Sequence, residues 1–183
     1  MPRMPKELKY IQIAALLVTA IIYLGIKNYP FTKSAADSGK SGFYYVTRVV
    51  DGDTLRLSSG EKVRLIGVDT PEVYYSDKLL RDSKRIGADI KMTQSLGAKA
   101  SRFTKDLCLN KRVRLEYDIG RYDRYGRVLA YVYLEDGTFV NAKIMEEGYG
   151  QIMTIPPNVK YADYFRKLER EARENRKGLW RLK

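Results

Sequence analysis

From Phe43 to Val68 the chain alternates strand-forming runs with turn chemistry in quick succession. Phe43–Val50 is aromatic and β-branched, and Asp51-Gly52-Asp53 interrupts it. Thr54–Leu57 follows, then the turn Ser58-Ser59-Gly60, then Lys62–Val68. A three-stranded meander is the simplest fit. Residues 73–92 are charge-rich and read as irregular. Thr93–Leu107 then sets Leu96, Ala100, Phe103 and Leu107 on one helical stripe. Lys111–Tyr117 alternates apolar and charged residues as a half-buried strand does, and Arg127–Leu134 is another strand. Glu135-Asp136-Gly137 closes that strand. Asn141 is read as the cap of a short helix through Glu147, ended by Gly148. Beyond Pro156-Pro157, Tyr161, Phe165, Leu168 and Ala172 form the stripe of a last helix, ended by Gly178, with Leu179-Trp180 folding back on the core. Three strands plus two around one helix predict a small closed barrel of the oligonucleotide-binding type.

Composition narrows the chemistry. No His is present, so a His base, a His-activated nucleophile and a His metal ligand are all excluded. The single Cys, Cys108, allows neither an internal disulfide nor a thiolate zinc cluster, and Leu107-Cys108-Leu109 reads as a buried apolar run. Any metal must therefore be a hard cation held by oxygen. Lys and Arg number 34 against 22 Asp and Glu, a net charge of +12. Residues 1–40 hold six basic and two acidic side chains, so the remainder, 28 basic against 20 acidic, is itself basic at +8. Such a domain attracts polyanions, either nucleic acid or anionic lipid.

The N-terminal region divides into a short basic start at 1–9, an apolar run at 10–26 and a linker at 27–42. Tyr10–Ile26 carries no charge and as a helix would span ~25 Å, close to a bilayer core. Arg3, Lys6 and Lys9 before it favour an inside N-terminus with residues 43–183 outside. Three readings stay open: a transmembrane helix that tethers the domain, a signal cleaved near Ala36 for secretion, or a buried core helix. The length of the run and the distance to Ser34-Ala35-Ala36 favour the tether.

Four acids, Asp51, Asp53, Asp69 and Glu72, fall in two short turns that a meander can bring together. Like charges so placed need a cation, and oxygen-only ligation suits Ca²⁺. Either turn alone is equally well read as ordinary turn chemistry. Arg64, within Val63-Arg64-Leu65-Ile66-Gly67-Val68, tips the balance, because so apolar a strand does not tolerate an idle charge. Arg127 stands just after Tyr125-Gly126. Carboxylates around one cation plus two arginines suit phosphodiester hydrolysis.

Val50-Asp51-Gly52-Asp53-Thr54, Val63–Glu72 and Asp123-Arg124-Tyr125-Gly126-Arg127 together resemble the three signature segments of the staphylococcal nuclease family. The resemblance covers about residues 43–182. It implies an α+β, mainly β fold: a five-stranded OB-type Greek-key barrel with three helices, here preceded by the N-terminal transmembrane helix. It implies Ca²⁺ held by Asp53, Asp69 and the Thr70 carbonyl, with Asp51 in the outer shell. Glu72 would be the base or water-positioning group, and Arg64 and Arg127 would grip the phosphate. Tyr125, with Arg124 beside it, would touch a terminal phosphate. The implied substrates are DNA and RNA, and the implied products end in a 3′-phosphate.

Two departures stand out against the founding enzyme. The stretch around Tyr74–Met92 is longer and is expected to overhang the cleft. Met153-Thr154-Ile155 replaces tyrosines that contact the nucleotide there. Two readings other than the enzyme are an inactive nuclease-like barrel that only binds nucleic acid, and a membrane-held protein whose basic face meets lipid. The full set of charged site residues favours the enzyme. No protein partner is inferable, and the chain reads as a monomer.

Overall fold

The computed structural model describes residues 42–182. The expected tether at 10–26 and the candidate cleavage site lie outside them. Among the described residues, no helix is long and apolar enough to cross a membrane.

Five strands close the barrel in the order β1 (Phe43–Asp51), β2 (Thr54–Leu57), β3 (Lys62–Leu65), β6 (Val128–Leu134) and β5 (Arg112–Glu116). The expected meander is present, with β1–β2 and β2–β3 antiparallel. β3 runs parallel to β6, and pairing of Phe43–Tyr45 with Arg112–Arg114 seals the ring. Two register irregularities in β1 add the local twist and bend that closure needs. The barrel interior holds Val46, Leu55, Leu57, Val63, Leu65, Val113, Ala130 and Val132, all buried. These are the inward positions of the alternating strands, so the period of the sequence is what fills the core.

The apolar run after the second turn is not one strand. It breaks at Gly67, where φ is +80° and a Cβ would lie 2.4 Å from the Phe165 ring. Only glycine meets both demands at that point. The remainder forms β4 (Gly67–Asp69), which leaves the barrel to pair with β7 (Gln151–Met153). That departure carries Asp69 away from the barrel wall toward the first turn.

The helix count differs from the three expected. Among the described residues there are four α-helices and a terminal 3₁₀ turn at Gly178–Leu182: α1 (Asp77–Ile86), α2 (Ile90–Cys108), α3 (Val140–Glu146) and α4 (Ala162–Glu174). The additional one, α1, occupies the stretch expected to be irregular. Ser76 caps it through a 3.1 Å bond from Leu79 N, and Gly87 ends it in the left-handed region. Ile86 packs with Leu96, Ala172, Leu179 and Trp180 in a second small core, which ties α1 to α2 and to the chain's last turn.

Asn141 does not cap α3. Phe139 stands at the N-cap, while Asn141 is fully buried and bonds Val132 N, Ile66 O and Ala130 O. It bonds backbone groups in the buried interior, where water cannot reach them. Cys108 is buried and free, as expected, and burial pushes its thiol up to about 12.

Candidate active site

The two acidic turns meet because Gly52 has no side chain. A Cβ there would lie 2.7 Å from Thr70 Oγ1, so this contact admits only glycine. Thr104 of α2 donates a 2.8 Å bond to Gly52 O and pins the first turn from below. Asp51 Oδ1 accepts from Asp53 N at 3.1 Å, folding the turn on itself.

Asp53 is the hub. Its Oδ2 accepts from Thr70 N at 2.9 Å and from Thr70 Oγ1 at 3.2 Å, and its Oδ1 accepts from Thr54 Oγ1 at 3.1 Å. Arg64, with a side chain only 11% exposed, lies between the two acids. Its Nη1 is 3.1 Å from Asp53 Oδ1, and its Nη2 is 3.2 Å from Asp69 Oδ1. The same Nη1 donates to Val68 O at 2.5 Å. The charge in the apolar strand is thus matched by acids from both turns.

Burial works to raise the Asp53 carboxyl, but the Arg64 guanidinium and the bonds from Thr70 outweigh it and hold it below the usual range. Asp51 goes the other way: burial, and then the negative Asp53 beside it, push it up to about 7. One of two neighbouring carboxylates therefore carries the charge and the other keeps a proton readily.

Three residues missed in the sequence complete this region, all from α1. Lys78 Nζ donates to Thr70 O at 2.7 Å and lies 3.3 Å from Asp69 Oδ1 and 3.1 Å from Glu72 Oε1. Arg85 Nη2 sits 2.6 Å from Asp69 Oδ2, and Asp82 accepts from both Lys78 and Arg85. Burial works to lower the Lys78 ammonium, and Asp69 and Asp53 outweigh it and hold it above its usual value. The stretch expected to overhang the cleft thus lays two cations on its carboxylates. Ser76, the buried Leu79 and Ile86, and Gly87 were the signals of that helix.

Among the described residues no three carboxylates converge as a ready metal centre. What converges is a mixed set of oxygens: Asp69 Oδ1, the Thr70 carbonyl and Glu72 Oε1 all lie within 3.3 Å of one ammonium. A single cation position ringed by hard oxygens fits Ca²⁺ in donor chemistry, and Lys78 stands in for a cation there.

Arg124, Tyr125 and Arg127 form a second, separate group. Arg127 Nε donates to Asp123 Oδ2 at 2.7 Å, and Arg127 directly precedes β6, whose Leu129 is the register partner of Arg64. Tyr125 is 68% exposed, accepts a 2.6 Å bond from Arg124 Nη2 and lies beside both guanidinium groups. Among the described residues, no hydrogen bond or ion pair joins these three to the acidic turns. Met153, in the segment without tyrosines, places its sulfur 3.9 Å from Arg64 Nη2.

Residues 62–182 match the family model described as staphylococcal nuclease homologue. A thermonuclease of Staphylococcus intermedius is 39% identical over 173 residues, spanning 92% of this chain and 94% of that protein. A thermonuclease of Staphylococcus hyicus is 35% identical over 93% of this chain and 94% of its own. Endonuclease YncB of Bacillus subtilis is 36% identical over 73% of this chain and 59% of its own. The match over most of the chain, on top of a closed barrel with two acidic turns joined by one arginine, shows that the chain belongs to the staphylococcal nuclease family and is a hydrolase of the nuclease class.

Proposed function

We propose that the chain is a calcium-dependent nuclease that hydrolyses phosphodiester bonds of DNA and RNA and leaves 3′-phosphate ends. The observation that carries this reading is the bridge from Asp53 through Arg64 to Asp69, built where two turns touch. Asp53, Asp69 and the Thr70 carbonyl would hold Ca²⁺, with Asp51 behind them. Bound there, the ion supplies positive charge to the phosphate under attack.

The chain's own groups do the rest. Glu72, 29% exposed on its side chain, takes the proton of the attacking water or positions that water. As water oxygen bonds to phosphorus, the P–O5′ bond breaks, the 5′ oxygen takes a proton from solvent water as it leaves, and Glu72 gives the proton it took back to solvent. Arg64 and Arg127 meet the negative charge that grows on the phosphoryl oxygens. Arg124 and Tyr125 form an exposed cationic and aromatic edge suited to a terminal phosphate. The basic surface draws the polyanion in.

The N-terminal run at 10–26 would retain the protein at the cell membrane with the domain outside. A calcium site of the extracellular class, with Kd of ~10⁻⁴–10⁻³ M, fits that side. The test is degradation of DNA and RNA by the full chain with Ca²⁺ and then with excess chelator. The reading expects hydrolysis to stop on chelation, and equal activity in both conditions would contradict it. Protease added to intact cells should remove the domain; a domain shielded until lysis would contradict the topology.

A further inference from the structure

We infer that Lys78 is a resident counter-ion of the calcium site, and that Ca²⁺ binds by displacing its ammonium from Asp69, Thr70 and Glu72. The inference rests on the calcium reading above and adds a residue of this chain that governs occupancy of the site. Four oxygens surround Lys78 Nζ within 3.3 Å, from the Asp69 carboxylate, the Thr70 carbonyl, the Glu72 carboxylate and the Asp82 carboxylate. The first two belong to the set that would hold the ion, and the third to the group that would handle water. An ammonium and a Ca²⁺ ion cannot share those lone pairs at contact distance, because like charges so close repel strongly.

The rest of α1 is built to keep Lys78 there and to receive it when it leaves. Leu79 and Ile86 are buried, and Ile86 joins the second core with Leu96, Ala172, Leu179 and Trp180, so the helix stays docked. Asp82, one turn on, lies 3.3 Å from Lys78 Nζ through Oδ2 and binds Arg85 through Oδ1 at 2.9 Å. Displacement therefore needs only the flexible lysine stem to swing, with Asp82 as the partner it retains. Arg85, 2.6 Å from Asp69 Oδ2, supplies a second cation to the same carboxylate. Three cations, Arg64, Lys78 and Arg85, already face these carboxylates before any metal arrives, which lets the acidic turns stay folded in its absence and sets a threshold for calcium entry.

The test measures Ca²⁺ binding by calorimetry on the full chain and on Lys78→Gln, Lys78→Arg and Lys84→Gln. Lys84 is exposed on the same helix, so Lys84→Gln reports the loss of one positive charge alone. Thermal unfolding with chelator and with saturating CaCl₂ is the second readout. The expected result is Ca²⁺ binding about tenfold tighter in Lys78→Gln than in Lys84→Gln, with Lys78→Arg close to the unaltered chain. Lys78→Gln should also melt lower than the unaltered chain with chelator, and the gap should close in CaCl₂. Equal or weaker binding in Lys78→Gln than in Lys84→Gln overturns the inference while leaving the calcium reading intact. Absence of Ca²⁺ binding in every variant overturns both.

Discussion

The acidic and basic halves of the site are built in opposite ways. Asp53, Asp69 and Arg64 are nearly sealed from solvent and over-determined, each held by two or more partners. Arg124, Tyr125 and Arg127 stand in a turn held chiefly by Asp123, which accepts from Tyr125 N at 2.9 Å and from Arg127 N at 3.0 Å. The half proposed to hold a cation is packed into the fold, and the half proposed to meet the polyanion is more exposed.

Breaking the packed half should cost most. Arg64→Ala leaves two buried carboxylates without their shared partner. It should lose about 3 kcal/mol of stability, read by urea unfolding, and roughly 10²–10³-fold in turnover. Loss of activity at full stability would show that Arg64 acts on the phosphate alone.

Gly52→Ala tests the join between the turns without touching a charge. The added Cβ meets Thr70 Oγ1 at 2.7 Å, and the turns must part. About 2 kcal/mol should be lost, with a fall in activity that added CaCl₂ does not fully restore. A variant that unfolds and turns over like the unaltered chain would mean the turns need not touch.

The open half should show a smaller, pH-linked effect. Burial works to raise the Asp123 carboxyl, and the Arg127 N–H and guanidinium with Tyr125 N–H outweigh it and hold it below its ordinary value of 3.8. Its stabilising contribution is therefore complete above that value and is lost as pH falls through the lower folded-state value. It should amount to no more than about 1 kcal/mol. Asp123→Asn should flatten the acid limb of the Tm–pH curve slightly; an unchanged limb would mean the turn is held by something else.

How far the sequence revealed this arrangement depends on which force shaped each part. The barrel was legible, because Val113 and Leu115 or Val128 and Ala130 repeat with the period of the sheet they build. The acidic turns were legible because Asp-Gly-Asp and Asp-Thr-Pro-Glu punctuate strands. α1 was not read, since the stripe Leu79, Asp82, Ile86 has a carboxylate in its middle. That face meets a charged site as well as a core, so hydrophobic period alone could not show it. Asn141 was misread for a similar reason. Its short polar side chain suits a helix cap, yet three backbone groups brought together by the barrel claim it instead. The break at Gly67 depends on the Phe165 ring, nearly a hundred residues away, and no local rule contains it.

The most direct test of the central claim, that this acidic pocket is where the phosphodiester is cleaved, is the single-turnover rate of Glu72→Gln on a DNA oligonucleotide in saturating CaCl₂. Glu72 is a partly exposed carboxylate of the site, and its removal leaves the Asp53–Arg64–Asp69 bridge standing. The account predicts a rate lower by about 10²–10⁴-fold with Tm nearly unchanged. A near-native rate in a folded Glu72→Gln chain would contradict it.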